Sequence, residues 1–178
     1  YGKYPVEAIS TMSRIISETE SVLKRRDDAF NHTLFCRDTS DVTAFLAHGA
    51  VDSQYEIGTK AIITDSYTGR TARYIASFRG ISPTLALCYR PNVPRLLALS
   101  YGVYPLYQKK DASSREYLYN GLKHLIEYGF ITRNDKIAYL GGGFGEGKGT
   151  TFLEINRVDD VMQNYDRYDL PNLEKPEQ

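Results

Sequence analysis

Tryptophan is absent from the chain and cysteine occurs only twice, as Cys36 and Cys88. Two cysteines make no disulfide framework, and no CxxC pair exists to hold a metal. Both lie near aliphatic or aromatic residues and read as small buried hydrophobes. His32, His48 and His124 are far apart, and no HxH or HExxH spacing joins them, so no metal site is expected. No apolar run approaches the roughly 20 residues needed to span a bilayer, and no signal peptide is visible, so no membrane partner is expected. An excess of one charge is missing too. Lys+Arg and Asp+Glu each number 22, which gives no basic bias toward nucleic acid. Together these absences fit a reducing, cytoplasmic setting. The first residue is Tyr1 rather than Met, and the sequence reads as a piece cut from a longer protein.

Catalytic signatures are equally scarce. There is no GxSxG nucleophile elbow and no triad spacing. Asp65 follows an apolar strand, where a receiver domain keeps its phospho-acceptor, but the acidic pair that such a domain needs after its first strand is missing. No catalytic residue is expected in the chain.

What is present is an alternation of strand and helix signals over 178 residues, a length suited to one compact domain with a short extension. Residues 5–26 carry an apolar stripe of period 3.6 through Ile9, Met12, Ile16 and Leu23, with Pro5 at the helix start. Residues 27–37 read as a connector. Asp38, Ser40 or Asp41 caps a second helix carrying Val42, Phe45, Leu46 and Ala50. Then follow a strand at Ala61–Thr64, a helix at Thr71–Phe78 and a strand at Thr84–Cys88. A helix at Val93–Tyr101, closed by Gly102, leads to a strand at Val103–Tyr107. Pro105 cannot donate to a ladder, which places that strand at an edge or ends it early. A helix at Ser113–Tyr128, closed by Gly129, precedes strands at Ile137–Leu140 and Phe152–Ile155.

Repeated β-α-β units of this length predict an α/β fold in three layers: a mostly parallel five-stranded sheet with helices on both faces. The connection between the last two strands is too short for a parallel crossover, so the last strand is expected to be antiparallel. The segment 163–178 is polar, contains two prolines and reads as a loosely attached tail.

Two constellations could hold a ligand. The first is Ser66-Tyr67-Thr68-Gly69-Arg70-Thr71, between a strand end and a helix start. Ligands of open α/β sheets collect outside the carboxyl ends of the strands, and a helix N-terminus favours an anion. Ser66, Thr68 and Thr71 add hydroxyls, Gly69 allows close backbone approach, and Arg70 offers a bidentate charge. A phosphate fits this stretch, and so does a hydroxyl-rich helix cap with no ligand. The second is GGGFGEGKGTT, Gly141 to Thr151. Gly142 and Gly147-Lys148 nearly spell a P-loop, but Gly149 replaces the Ser/Thr and a strand follows in place of a helix, so nucleotide hydrolysis is not expected. GxGxxG is absent as well. The loop, with Gly143, Gly145, Gly147 and Lys148, is either a cover for a phosphorylated ligand or a mobile hairpin connection.

Several stretches resemble pyruvate kinase. Gly2–Met12, GKYPVEAISTM, is similar to the last helix of that family's catalytic barrel. Gly58–Gly80, GTKAIITDSYTGRTARYIASFRG, resembles its A-I-I-x-x-T-x-S-G-R-T-A segment. Leu96–Tyr107, LLALSYGVYPLY, resembles its L-A-L-x-x-G-V-x-P stretch, and Gly149–Ile155, GTTFLEI, its Gly-x-Thr-Asn-Thr-like strand. The resemblance implies that residues 1–27 are the last barrel helix, 28–162 the C-terminal α/β effector domain and 163–178 the polar tail. It implies a parent that transfers a phosphoryl group from phosphoenolpyruvate to ADP with Mg and K. The catalytic residues would lie upstream, so this piece would be inactive alone and would need no cofactor. It also implies a subunit interface of a homotetramer and contacts to the chain's own barrel. Finally, it implies an effector-phosphate site at Ser66, Thr68, Gly69, Arg70 and Thr71, covered by the glycine loop. Tyr117, with Arg115 nearby, stands where bisphosphate-activated members carry a basic residue. A single-phosphate effector, such as a sugar monophosphate or AMP, is therefore favoured. The alternative is a ligand-free oligomerisation module.

Overall fold

The computed structural model describes residues 2–22, 41–108, 114–142 and 149–168. Helix α1 (Pro5–Val22) is followed by α2 (Val42–Glu56), β1 (Ala61–Ser66), α3 (Arg70–Ser77), β2 (Thr84–Cys88) and α4 (Val93–Leu97). Then come β3 (Val103–Tyr107), α5 (Ser114–Glu127), β4 (Lys136–Gly142), β5 (Thr150–Arg157) and α6 (Val158–Tyr168). The five strands form one sheet in the order β3-β2-β1-β4-β5. The first four are parallel to their neighbours and β5 runs antiparallel to β4. Strand β3 lies at an edge, as Pro105 requires.

The central strands are buried on both faces, and their apolar runs divide the core in two. Ala61, Ile63, Leu85, Leu87 and Ile137 face Leu122 and Leu125 of α5 and Val158 and Met162 of α6. On the other face, Ile62, Ala138 and Leu140 meet Ala47, Ala50 and Val51 of α2 and Ile75 and Phe78 of α3. Ala86 and Cys88 meet Ala72 of α3 and Val93 and Leu97 of α4. The result is the expected three-layer arrangement. Cys88 is fully buried, and desolvation pushes its thiol pKa up to about 12. Cys36 lies outside the described residues.

Four expectations need correction. The buried face of α2 is made of Ala44, Ala47, Ala50 and Val51, whereas Val42 and Phe45 are exposed. Alanine lets this helix approach the sheet closely, so its apolar signal is weak. Helix α4 stops at Leu97 and does not reach Tyr101. Leu96 and Leu99 point to solvent, and Gly102 takes a left-handed turn (φ 63°) just before β3. The strands β1, β4 and β5 extend beyond the short apolar runs that announced them, and β1 takes in both Asp65 and Ser66. Last, α6 was not expected. Val158 and Met162 anchor it one turn apart on the sheet, and Tyr119 of α5 stacks on its Tyr165 with ring centroids 4.1 Å apart. The polar tail expected from Gln163 thus begins inside a helix. Residues 169–178, and residues 23–26 of the first expected helix, lie outside the described residues.

Helix α1 keeps its predicted stripe, yet every described residue from Gly2 to Ser21 is exposed, including Val6, Ile9, Met12, Ile15 and Ile16. Among the described residues no helix is long and apolar enough to cross a membrane.

Candidate functional site

The connections place the two constellations together. From β1 the chain steps outward to β2 and then β3, and it returns through α5 to β4 on the opposite side of β1. The order in which the chain adds strands therefore reverses between β1 and β4, which stay parallel. In open α/β sheets the crevice at such a switch point, outside the carboxyl ends of the strands, is where ligands settle. Here that crevice lies between the loop 67–69 and the carboxyl end of β4 at Gly142.

Ser66 ends β1. Its hydroxyl is buried and finds no hydrogen-bond partner among the described residues. Tyr67 follows, its ring 4.3 Å from the Arg90 guanidinium. Thr68 is exposed. Gly69 is the N-cap of α3, with φ 82°. A Cβ there would be strained by the left-handed conformation and would press on Leu97 at 3.2 Å. The cap has no side-chain acceptor, so the first amides of α3 lack the oxygen that a Ser, Thr, Asp or Asn cap supplies. Thr71, in the first turn, shares a 2.8 Å hydrogen bond with the hydroxyl of Thr150 at the start of β5.

Thr150 is also the residue that pairs with Gly142 across the base of the glycine segment. The ladder shifts register between Gly141 and Gly142, and Gly142 packs so tightly that an added Cβ would collide with the Gly149 carbonyl. The stem of the glycine loop is thereby fixed against the first turn of α3. Gly143, Gly145, Gly147 and Lys148 themselves lie outside the described residues.

Arg70 is placed differently from the expectation of a waiting anion ligand. Its guanidinium donates to the Asp41 carboxylate at 2.7 Å and lies 5.6 Å from the centre of the Tyr74 ring. Tyr74 donates its phenol to the same Asp41 oxygen, also at 2.7 Å. Asp41 in turn caps α2, accepting from the Ala44 amide at 3.2 Å. The Tyr74 phenol, with the Ala44 amide and Arg70, outweighs desolvation and lowers the Asp41 pKa below its ordinary 3.8. A carboxylate with a depressed folded pKa stabilises the fold above the unfolded value and loses that contribution as pH falls through the folded one. Asp41→Ala should therefore cost about 1–2 kcal/mol at neutral pH, with the deficit shrinking as pH drops below 3.8. Urea denaturation across that range reads it directly.

A second, half-buried carboxylate, Asp65, forms a structural centre that the sequence does not show. Asp65 accepts from the phenols of Tyr89 and Tyr139, at 2.5 Å each. Tyr89 follows β2 and Tyr139 lies in β4, the two neighbours of β1. Burial outweighs both phenols and raises the Asp65 pKa. The cluster draws on β1, β4 and the residue that follows β2, so no local pattern announces it.

The comparisons with known proteins bear on this geometry. The family model described as "Pyruvate kinase, alpha/beta domain" matches residues 45–155. The chain belongs to the pyruvate kinase α/β domain family. The match begins inside α2 and ends in β5, so it contains the switch point, the loop 67–69 and the glycine segment. The pyruvate kinase of Borreliella burgdorferi is 34% identical over 166 residues, covering 92% of this chain and 34% of its own. That of Clostridium acetobutylicum is 29% identical over 159 residues, covering 89% of this chain and 33% of its own. The chain thus spans about a third of the length of these relatives. In structure it is similar to Cryptosporidium parvum pyruvate kinase solved in complex with ADP, with a TM-score of 0.69 and 26% identity over 88% of this chain and 32% of that one.

Proposed function

We propose that the chain is the C-terminal regulatory domain of a pyruvate kinase and that it binds a phosphorylated metabolite in the crevice between β1 and β4. Ser66, Thr68, Gly69, Arg70 and Thr71 would hold the phosphate through hydroxyls, the first amides of α3 and a guanidinium. Gly143, Gly145, Gly147 and Lys148 would close over it. The observation that carries this reading is the Thr71–Thr150 hydrogen bond, which ties the hydroxyl-rich loop to the stem of the glycine loop. The buried Ser66 hydroxyl supplies a further unspent donor at the same edge. The effector class is a sugar monophosphate or AMP.

The parent would transfer a phosphoryl group from phosphoenolpyruvate to ADP, as a homotetramer in the cytoplasm, with its active site in a catalytic barrel. The exposed apolar stripe of α1 suits a helix completed by packing on that barrel. Mg and K belong to the parent's chemistry. Among the described residues no group of three or more His, Cys, Asp or Glu is placed to hold a metal ion. An effector would act only through its different affinity for the parent's two states.

The engagement of Arg70 by Asp41 favours the second reading, a ligand-free oligomerisation module in which the loop is only a helix start. Thermal unfolding of the chain with glucose 6-phosphate, ribose 5-phosphate, AMP and fructose 1,6-bisphosphate separates the two. A true effector at a hundredfold excess over its Kd should raise Tm by about 5–10 °C. Thr71→Val should weaken that binding by about 10–100-fold, the worth of one hydrogen bond to a charged group. No rise with any of the four at millimolar concentration would leave the structural module as the account. The isolated chain should show no kinase turnover.

A further inference from the structure

The Asp65 carboxylate sits one residue before the loop and is bonded on both sides of β1. Two chains of contacts run from it, and each returns to a wall of the crevice. Toward β2, the Tyr89 phenol donates to Asp65, and the Tyr89 amide donates to the Ser66 carbonyl at 3.4 Å. The next residue, Arg90, carries its guanidinium over the ring of Tyr67, the first residue of the loop. Toward β4, the Tyr139 phenol donates to the other carboxylate oxygen. The Tyr139 ring meets Phe152 of β5 edge to face, with centroids 5.7 Å apart. Phe152 pairs with Gly141, where an added Cβ would collide with its ring. One carboxylate is therefore joined to the phosphate loop and to the stem of the glycine segment.

Stability alone does not account for an acid at this position. The other residues on this face of β1, Ala61 and Ile63, are apolar core, and burial already disfavours the charged form of Asp65. A well-packed apolar side chain often serves stability as well as a buried charge does. What such a side chain lacks is direction: it cannot fix two phenols, and through them two flanking segments, at set positions.

We infer that Asp65 is a positioning residue for the phosphate crevice, holding the loop after β1 and the stem after β4 in register through Tyr89 and Tyr139. This rests on the phosphate-binding reading above and adds a residue that touches no ligand itself. Asp65→Asn retains the shape but places an N–H₂ against one phenol in place of an acceptor. Tyr139→Phe removes a single hydroxyl and leaves the rest of the core packed, so it keeps the test alive if the Asn variant fails to fold.

The test is calorimetric titration of the 178-residue chain with glucose 6-phosphate, ribose 5-phosphate, AMP and fructose 1,6-bisphosphate, beside thermal unfolding without ligand. Asp65→Asn and Tyr139→Phe are each expected to weaken binding at least tenfold, and the double variant should be little worse than Asp65→Asn. Ile63→Val, on the same face of β1, should lower Tm while leaving Kd within twofold. If both Asp65→Asn and Tyr139→Phe bind within twofold of the wild type, the positioning role is wrong and the phosphate site stands. The role also falls if Ile63→Val weakens binding as much as they do. If the wild type binds none of the four, the positioning role and the phosphate site fall together.

Discussion

Leu122→Ala should lower the stability of the domain by about 2–5 kcal/mol, against a typical total of about 5–15. Leu122 is fully buried in the inward turn of α5, in one core with Ile63, Leu87 and Met162. Its neighbour Gly121 explains why the loss would be large. A Cβ on Gly121 would lie 3.0 Å from Leu87 and 3.1 Å from Leu85, so the helix already rests on the sheet at glycine distance. It has little room to sink further into the space that a truncated Leu122 would leave, and a site that cannot collapse retains its cavity. Urea denaturation should show a lower midpoint with an unchanged m-value. A loss under about 1 kcal/mol would mean that α5 moves freely over β1 and β2, contrary to this packing.

Gly142→Ala carries the second large effect, and it reaches the candidate site. The methyl would collide with the carbonyl of Gly149, a backbone atom that cannot rotate away. The register shift at Gly141/Gly142 and the Gly142–Thr150 pair would have to open, which separates Thr150 from Thr71. Overpacking of this kind costs about 1–3 kcal/mol. Beyond that cost, the thermal response to the effector should disappear, because the stem no longer holds Thr150 against Thr71 in the first turn of α3. A Gly142→Ala variant that keeps its full ligand response would separate the glycine stem from the site.

Much of this architecture was legible in the sequence. Five apolar strand runs, the helices between them and the short last connection were enough to give a mostly parallel sheet with an antiparallel fifth strand. Pro105 put β3 at an edge, where it lies. What escaped was carried by weak or non-local signals. Helix α2 buries alanines, whose small side chains contribute little to an apolar stripe, while its larger Phe45 faces out. Among the described side chains of helix α6, only Val158 and Met162 are fully buried within a polar stretch. Three leucines close together read as one stripe, although only Leu97 of them is buried.

The candidate site was readable as residue types and not as partnerships. Hydroxyls, a glycine and an arginine between a strand and a helix announced an anion. The sequence could not show that Arg70 would turn to Asp41, 29 positions away. Nor could it show that Thr71 would bond to Thr150, 79 positions away. Both contacts depend on how α2, α3 and β5 come together in the fold, which no local pattern shows.

The central claim is that a phosphate is held at the start of α3. Amide chemical shifts of the isotope-labelled chain, followed during titration with glucose 6-phosphate, ribose 5-phosphate and AMP, test it at the residues concerned. The account predicts saturable shifts concentrated at Thr68, Gly69, Arg70 and Thr71, with Gly149 and Thr150 following. Saturable shifts centred elsewhere, or none at millimolar ligand, would contradict it.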